Sequence, residues 1–289
     1  MDSLKGTGVA LITPFNEDFT VDYIALEKLI NYQIAGNIDY LVLMGTTGES
    51  SVLSSLEKKE VVDFCKRINN KRLPIVLGIG GNNTLSIVKE IEGIDFTDIE
   101  AILSVSPAYN KPTQAGIYHH YDRISRVSPV PIILYNVPGR TSSNITAETT
   151  LNLARDFKNI IAIKEASGDL NQIMQIIKNK PNDFIVISGD DSLTLPMIFL
   201  GAEGVISVIA QSHPKEYSSM VSQARKGNIK ESKKIHYKLY NYYEPLYEEG
   251  NPVGIKACLE SFGLCKAVVR PPLLEATKTV KDKLNILNK

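Results

Sequence analysis

The chain has 289 residues, and 43% of them are hydrophobic, which is enough apolar material for a large core. Its 32 basic and 32 acidic residues give a net charge of 0, and no block of like charge favours nucleic acid or an anionic membrane as a partner. The sequence has no secretion-signal pattern and no apolar run of membrane-spanning length. The three cysteines have neither disulfide nor zinc spacing. Together these features predict a cytoplasmic protein.

Short apolar runs recur along the chain at intervals of a few tens of residues. Each run is apolar throughout rather than alternating, which is typical of parallel strands that are covered on both faces. They predict eight strands, which in chain order are Gly8–Thr13, Tyr40–Gly45, Ile75–Gly80, Ile99–Val105, Ile132–Tyr135, Ile160–Lys164, Phe184–Ser188 and Gly204–Ile209.

Helical patterns fill the gaps between these runs. Ser54 followed by Glu57 predicts a capping box at the start of one such helix. Eight strands alternating with helices favour an α/β fold of the closed (β/α)8 TIM barrel type. The alternative is an open doubly wound sheet, which usually has fewer strands and a phosphate-binding glycine turn after the first one. Here the first run ends in Thr13-Pro14-Phe15, which is not such a turn.

The strand pattern stops after about residue 225. Residues 229–249, 252–262 and 271–287 predict three helices instead. We therefore predict a catalytic barrel over 1–225 and a C-terminal helical extension over 226–289. The tyrosine-rich stretch within 237–247 fits either the core or a subunit contact.

The ends of the predicted strands supply the catalytic candidates, because barrel active sites lie at the C-terminal ends of the strands. Lys164 follows the apolar run Ile160–Ile163, and apolar surroundings disfavour the charged form of an amine. A neutral amine attacks a ketone to form an imine. Position alone instead favours a lysine that reaches solvent or pairs with Glu165. Tyr135 ends the preceding run, and its phenol is either a proton relay for such an imine or a core side chain.

Metal ligands are poorly represented in the sequence. His119 and His120 are adjacent on a predicted helix, so they point to different sides and cannot share a metal as i, i+4 histidines do. Asp190 and Asp191 offer carboxylates for magnesium, but with no phosphate motif nearby a loop-capping role is favoured. No metal site is predicted.

Four segments together carry a resemblance that extends over nearly the whole chain. Gly45–Ser50, Ser106–Pro112, Tyr135–Thr141 and Ile163–Gly168 resemble four segments of the pyruvate-dependent Schiff-base aldolase superfamily, which includes the N-acetylneuraminate lyases. These are its carboxylate-binding loop, interface-tyrosine segment, proton-relay and arginine segment, and Schiff-base strand. The pattern Tyr-Asn-Val-Pro-x-Arg-Thr at 135–141 is similar to that of the dihydrodipicolinate synthase family, whereas N-acetylneuraminate lyases lack the arginine.

This resemblance implies a lyase that condenses pyruvate with L-aspartate 4-semialdehyde to give 4-hydroxy-tetrahydrodipicolinate, in diaminopimelate and lysine biosynthesis. It implies no metal and no organic cofactor. It also implies a homo-oligomer of at least a dimer, because the family's interface tyrosine crosses between subunits, and we expect a tetramer. The implied site residues are Lys164 as imine former, Tyr135, Thr46 and Tyr109 as proton relay, Thr47, Gly189 and Ile206 for pyruvate, and Arg140 for the semialdehyde. The alternatives are an aldolase for a sugar-derived 2-keto acid and a catalytically silent barrel that senses a small acid.

The resemblance also predicts weak or absent inhibition by L-lysine. Lysine-sensitive family members carry histidines at the positions of Ser55 and Lys58, a glutamate at Ser86 and a tyrosine at Ala108. Loss of the glutamate and of the aromatic wall, together with the added charge of Lys58, is expected to weaken lysine binding by about 1 kcal/mol or more for each change. Initial rates measured against lysine concentration test this, and clear inhibition at sub-millimolar lysine would contradict it.

Overall fold

Eight parallel strands close into a barrel in which each strand pairs with its neighbours in chain order and the first pairs with the last. The structure is a computed structural model that describes residues 2–288. The predicted barrel is therefore confirmed. Its strands are β1 Gly6–Ala10, β2 Tyr40–Leu43, β3 Ile75–Gly78, β4 Ala101–Val105, β5 Ile132–Asn136, β6 Ile160–Glu165, β7 Ile185–Ser188 and β8 Gly204–Ser207.

The first strand lies earlier in the chain than predicted, because the ladder ends where Leu11 donates its N–H to Val42 of β2, and residues 12–13 leave it while remaining buried. The backbone N–H of Ile12 donates to the side-chain carbonyl of Gln211 at 2.8 Å rather than to a neighbouring strand. A fully apolar run therefore marks burial correctly but does not fix where strand pairing ends.

Helices follow the strands and cover the outside of the barrel, and the predicted capping box of Ser54 and Glu57 is present at the start of the second helix. No helix within residues 2–288 is long and apolar enough to cross a bilayer. The helices are α1 Tyr23–Ala35, α2 Ser55–Asn69, α3 Thr84–Gly93, α4 Gln114–Val127, α5 Pro138–Thr141, α6 Ala147–Asp156, α7 Leu170–Asn179, α8 Thr194–Leu200, α9 Pro214–Arg225, α10 Ile229–Tyr247, α11 Val253–Ser261 and α12 Lys278–Leu287.

Alternate residues of the strands are buried in two separate layers. In β5, Ile133 and Tyr135 belong to the cluster inside the barrel, whereas Ile132 and Leu134 belong to the larger cluster between barrel and helices. In a strand, successive side chains point to opposite faces. The same alternation in β6 turns Lys164 toward the barrel interior and Glu165 toward the helices.

The last three helices form the predicted extension, but α12 begins at Lys278 rather than at Pro271. Pro271 and Pro272 lack N–H groups, and Thr277 instead binds the Glu249 carboxylate through its N–H at 2.8 Å. We propose that the catalytic barrel is 1–225 and the extension 226–289, a division that coincides with the end of α9 at Arg225.

The tyrosines of α10 divide between the two roles that the sequence left open. Tyr242 and Tyr243 are buried in the core, whereas Tyr237 and Tyr240 are 63% and 55% exposed. Tyr247 is 39% exposed but its hydroxyl binds Asp191, so Tyr237 and Tyr240 are the tyrosines with most surface free for a subunit contact.

Candidate active site

A cavity of about 410 Å³ opens at the C-terminal ends of the barrel strands. This is the end at which barrel enzymes carry out their chemistry. The wall of the cavity combines apolar side chains from the barrel interior with polar groups from the loops. Among the residues predicted for the site, it includes Thr46, Thr47, Tyr135, Arg140, Lys164 and Gly189.

Lys164 lies inside this cavity and is only 6% exposed. Strand pairing places it beside Tyr135, and its ammonium nitrogen is 4.3 Å from the centre of the Tyr135 ring. The interpretation of Lys164 as a lysine that reaches solvent or pairs with Glu165 is wrong, because the Glu165 carboxylate faces the opposite side of β6 and binds other partners. A buried amine next to a phenol can form an imine and exchange protons with its neighbour.

Gly189 gives Lys164 the room that it occupies. A Cβ atom at this position would lie 3.0 Å from Cε of Lys164 and 2.7 Å from Cβ of Ala166. Any side chain here would therefore push against the lysine stem. The predicted contact of Gly189 with pyruvate stays a prediction, and the close approach to Lys164 supplies a second reason for glycine.

The loop after β2 carries the two threonines of the site. Residues Thr46–Gly48 form a turn of 3₁₀ helix, in which Thr47 is buried and Thr46 is exposed. Glu49 follows in the left-handed conformation, with a φ of 52°. A non-glycine residue in this conformation is strained and needs support from its surroundings.

A buried ion pair from the extension supports this loop. The Glu49 carboxylate lies 2.5 Å from the Lys256 ammonium in α11, and neither side chain is more than 2% exposed. Glu49 also accepts a hydrogen bond from the backbone N–H of Arg270 at 3.0 Å, and Lys256 donates to the carbonyl of Val268 at 2.8 Å. Burial lowers the pKa of Lys256. The extension thereby fixes the position of the threonine loop.

Asn251 connects the same loop to Arg140. Its side-chain N–H donates to the Thr47 hydroxyl at 2.9 Å, and its backbone carbonyl accepts a hydrogen bond from the Arg140 guanidinium at 3.3 Å. Asn251 itself lines the cavity. One residue of the extension therefore touches both polar ends of the site.

Two of the predicted site residues lie away from the cavity wall. Tyr109 is 88% exposed and has a φ of 71°, and its backbone N–H donates to the carbonyl of Thr141. Ile206 is 1% exposed and packs in the barrel interior, in the same cluster as Tyr135. Within one chain, the structure thus brings together six of the eight residues and leaves Tyr109 at the surface.

A sequence model of the dihydrodipicolinate synthetase family matches residues 3–289. The chain belongs to this family. A curated relative from Flavobacterium psychrophilum, named 4-hydroxy-tetrahydrodipicolinate synthase, is 52% identical over 100% of this chain and 99% of its own length.

Solved structures of dihydrodipicolinate synthases have the same fold. The enzyme from Acinetobacter baumannii, solved in complex with pyruvate, is 36% identical with a TM-score of 0.95, covering 98% of this chain and 97% of that one. The enzyme from Cyanidioschyzon merolae, solved with lysine bound, is 35% identical with a TM-score of 0.94, covering 99% of this chain and 97% of that one.

Behind the catalytic strands of this family member lies a polar network that the sequence did not reveal. Burial raises the pKa of Glu165, whose carboxylate accepts hydrogen bonds from the side chains of Asn136 at 3.0 Å and Gln172 at 3.0 Å. The side-chain carbonyl of Asn136 accepts a further bond from the N–H of Ile145 at 2.9 Å. The network joins β5, β6 and the loop that follows Arg140, so it fixes their relative positions.

A second buried carboxylate anchors the far side of the cavity. Burial raises the pKa of Asp191, which accepts hydrogen bonds from the N–H groups of Val208 and Ile209 and from the Tyr247 hydroxyl at 2.9 Å. Asp190 accepts bonds from the N–H groups of Ser192 and Leu193, so its predicted loop-capping role is confirmed. In the described part of the chain, no three His, Cys, Asp or Glu residues are grouped so as to hold a metal ion.

Proposed function

We propose that this chain condenses pyruvate with L-aspartate 4-semialdehyde to give 4-hydroxy-tetrahydrodipicolinate through an imine on Lys164. Relatives at about 50% identity over nearly their full length are named 4-hydroxy-tetrahydrodipicolinate synthase, a lyase of the diaminopimelate and lysine pathway. The observation that carries the proposal is the buried Lys164 amine beside Tyr135, in a cavity that also holds Thr47 and Arg140.

Pyruvate binds first, with its carboxylate on the loop Thr46–Gly48. The Thr47 hydroxyl already accepts a hydrogen bond from Asn251, so its own proton is free to donate to the carboxylate. The amine of Lys164 then attacks the ketone carbon, and water leaves as the imine forms. Gly189 borders this pocket beside the lysine, and Ile206 supports it from within the barrel through the buried cluster that it shares with Tyr135.

Proton transfer is assigned to three hydroxyl groups. Tyr135 lies beside Lys164 and accepts or returns protons as the imine forms and as the methyl group loses a proton to give the enamine. Thr46 and Tyr109 continue the relay toward solvent. The enamine carbon then attacks the semialdehyde carbonyl, and the substrate amine closes the ring and displaces Lys164.

Arg140 is assigned to the carboxylate of the semialdehyde. It lies on the exposed short helix α5 at the cavity wall, and its planar fork of donors suits a carboxylate. Replacing it with alanine is expected to lower kcat/KM for the semialdehyde by about tenfold to 150-fold, while pyruvate still forms the imine.

Coupled assays with the semialdehyde and with sugar-derived 2-keto acids test this substrate assignment. The wild-type enzyme is expected to turn over the semialdehyde, and the Arg140→Ala variant to lose that activity selectively. Equal loss of pyruvate imine formation in the variant would show that Arg140 is structural. A preference for sugar acids would refute the proposed substrate.

The proposed relay requires a second copy of the chain. In this proposal Tyr109 reaches the active site of a neighbouring subunit, which accounts for the 88% exposure of its side chain in one chain. The minimal active unit is then a dimer, and we propose a tetramer built from two such dimers. Three unpaired cysteines, Cys65, Cys258 and Cys265, fit a cytoplasmic location, where thiols stay reduced.

Dilution tests the role of Tyr109 directly. Specific activity is expected to fall as the enzyme is diluted below the dissociation constant of the dimer, and Tyr109→Phe is expected to lower kcat more than it raises KM. Activity is measured alongside the mass of the particle by light scattering. A fully active monomer would contradict the shared site.

A further inference from the structure

Strands β5 and β6 carry a buried polar pair directly next to the pair that is proposed to form the imine. In the register of the two strands Tyr135 lies opposite Lys164, and the next residues, Asn136 and Glu165, lie opposite each other. Because successive side chains of a strand point to opposite faces, the first pair faces the cavity and the second faces the helices. Asn136 and Glu165 are both 0% exposed. The second pair therefore lies behind the first, across the same two strands.

The Glu165 carboxylate is held entirely by neutral donors. Nδ2 of Asn136 lies 3.0 Å from its Oε1 atom and 3.2 Å from its Oε2 atom. The backbone N–H of Ser167 donates to Oε1 at 2.9 Å, and Nε2 of Gln172 donates to Oε2 at 3.0 Å. Burying a carboxylate without a cation is costly, and an apolar pair at the same place would cost less. Stability alone therefore does not account for this group.

Two backbone N–H groups fix the polarity of the cross-strand contact. The N–H of Ile145 donates to Oδ1 of Asn136 at 2.9 Å, so the amide nitrogen of Asn136 must face Glu165. On the other side, the N–H of Ser167 points at Glu165. Backbone groups cannot turn over as a side-chain amide can. A group with acceptor oxygens alone is therefore the one that suits position 165.

An amide at position 165 would leave a donor against a donor. Its N–H groups would take the place of Oε2, which lies 3.2 Å from Nδ2 of Asn136 and 3.0 Å from Nε2 of Gln172. Turning the Gln172 amide over would set its nitrogen against Nδ2 of Asn144, which now donates to Oε1 of Gln172 at 2.8 Å. Turning Asn144 as well would set its nitrogen against that of Asn136, which now donates to Oδ1 of Asn144 at 2.8 Å. Each rearrangement moves the unfavourable contact without removing it.

We propose that Glu165 is a positioning residue that acts through Asn136 to hold the Tyr135 phenol against the Lys164 amine. This inference rests on the proposed function. The β5–β6 ladder is irregular at its start, within Ile132–Ile133, so the side-chain bond at its other end is a second constraint on how the two strands align. Proton transfer between neighbouring groups depends steeply on their separation, and a displacement of about 1 Å can cost about 100-fold in rate.

Glu165→Gln tests the proposal with a side chain of the same shape. We expect kcat to fall by about tenfold to 100-fold and the rate of imine formation with pyruvate to fall as well. The KM for pyruvate is expected to stay within about threefold of wild type, because the groups proposed to bind its carboxylate lie on the loop Thr46–Gly48. Rates are divided by the number of sites that pyruvate and borohydride label at saturation, so that unfolded protein is not counted.

Exchanging the acid and the amide gives a rescue that only this contact predicts. In the double variant Glu165→Gln with Asn136→Asp, the acid at position 136 still accepts the N–H of Ile145. The amides of Asn144 and Gln172 can then turn over without setting a donor against a donor. The double variant is expected to recover kcat to within about fivefold of wild type, although each of its substitutions alone lowers kcat.

Asn159→Ala is the matched control at the opposite end of β6. Nδ2 of Asn159 donates to the carbonyl of Ser125 at 2.8 Å, just before the strand begins. Its loss is expected to lower the Tm and to leave kcat per labelled site unchanged. If Glu165→Gln does not fold, Asn136→Ala breaks the same cross-strand bond and takes its place, with the same expected loss of kcat.

The outcomes separate the positioning role from the proposed function. A loss of kcat per labelled site in Glu165→Gln that the double variant recovers supports the proposal. The proposal is overturned if Glu165→Gln lowers the Tm but keeps kcat per labelled site within about twofold of wild type, or if the double variant recovers stability without recovering kcat. If the wild-type enzyme forms no imine with pyruvate, the proposed function itself fails.

Discussion

Replacing Lys164 with alanine is expected to lower kcat by roughly 10⁴-fold or more, because no other group in the cavity can form the imine. Folding is expected to survive, since a buried ammonium in an apolar barrel destabilises the folded state rather than supporting it. Steady-state rates of semialdehyde consumption and the Tm of the variant measure these two effects separately.

Lys158→Ala is the matched control for this loss. Lys158 is exposed and lies just before the same strand, β6. Its replacement is expected to leave both kcat and Tm close to wild type. If Lys164→Ala kept activity within about tenfold of wild type, the reaction would not pass through a lysine imine.

The second large effect is expected in stability, at the ion pair beneath the threonine loop. Lys256→Met leaves the Glu49 carboxylate buried without its cation, which is expected to lower the free energy of unfolding by about 3–5 kcal/mol. Because Glu49 lies next to the turn that carries Thr46 and Thr47, the KM for pyruvate is also expected to rise. Urea unfolding and pyruvate kinetics measure the two effects.

Two comparisons show whether burial causes the loss. Lys266→Met breaks the exposed pair with Glu17 and is expected to change the unfolding free energy by less than about 1 kcal/mol. Adding Glu49→Gln to Lys256→Met removes the uncompensated charge and is expected to recover part of the lost stability. A loss for Lys256→Met no larger than that for Lys266→Met would contradict the role given to this pair.

The barrel could be predicted from sequence because its signals are local. Each strand is a continuous apolar run, and the Ser54–Glu57 capping box spans only three residues along the chain. Where a contact with a distant segment decides the outcome, the local pattern gave the wrong boundary. Residues 12–13 leave the ladder because Gln211 binds Ile12, and α12 starts late because Thr277 is held by Glu249.

For the active site, the sequence likewise predicted some residues and missed others. Lys164, Tyr135, Thr47 and Arg140 stand in segments that resemble those of known enzymes, and the structure brings them into one cavity. Asn251 gave no comparable signal, because its bond to Thr47 joins residues 204 positions apart and an Asn-Pro pair before a helix suggests only a helix start. A residue whose function depends on such a contact can be recognised only in the folded chain.

The most direct test of the central claim is covalent trapping of pyruvate on the enzyme. Incubation with pyruvate and borohydride, followed by mass spectrometry of the intact chain and of its peptides, identifies the lysine that forms the imine. We expect one reduced pyruvyl group per chain, located on Lys164. A label on any other lysine, or no label at all, would contradict the proposed mechanism.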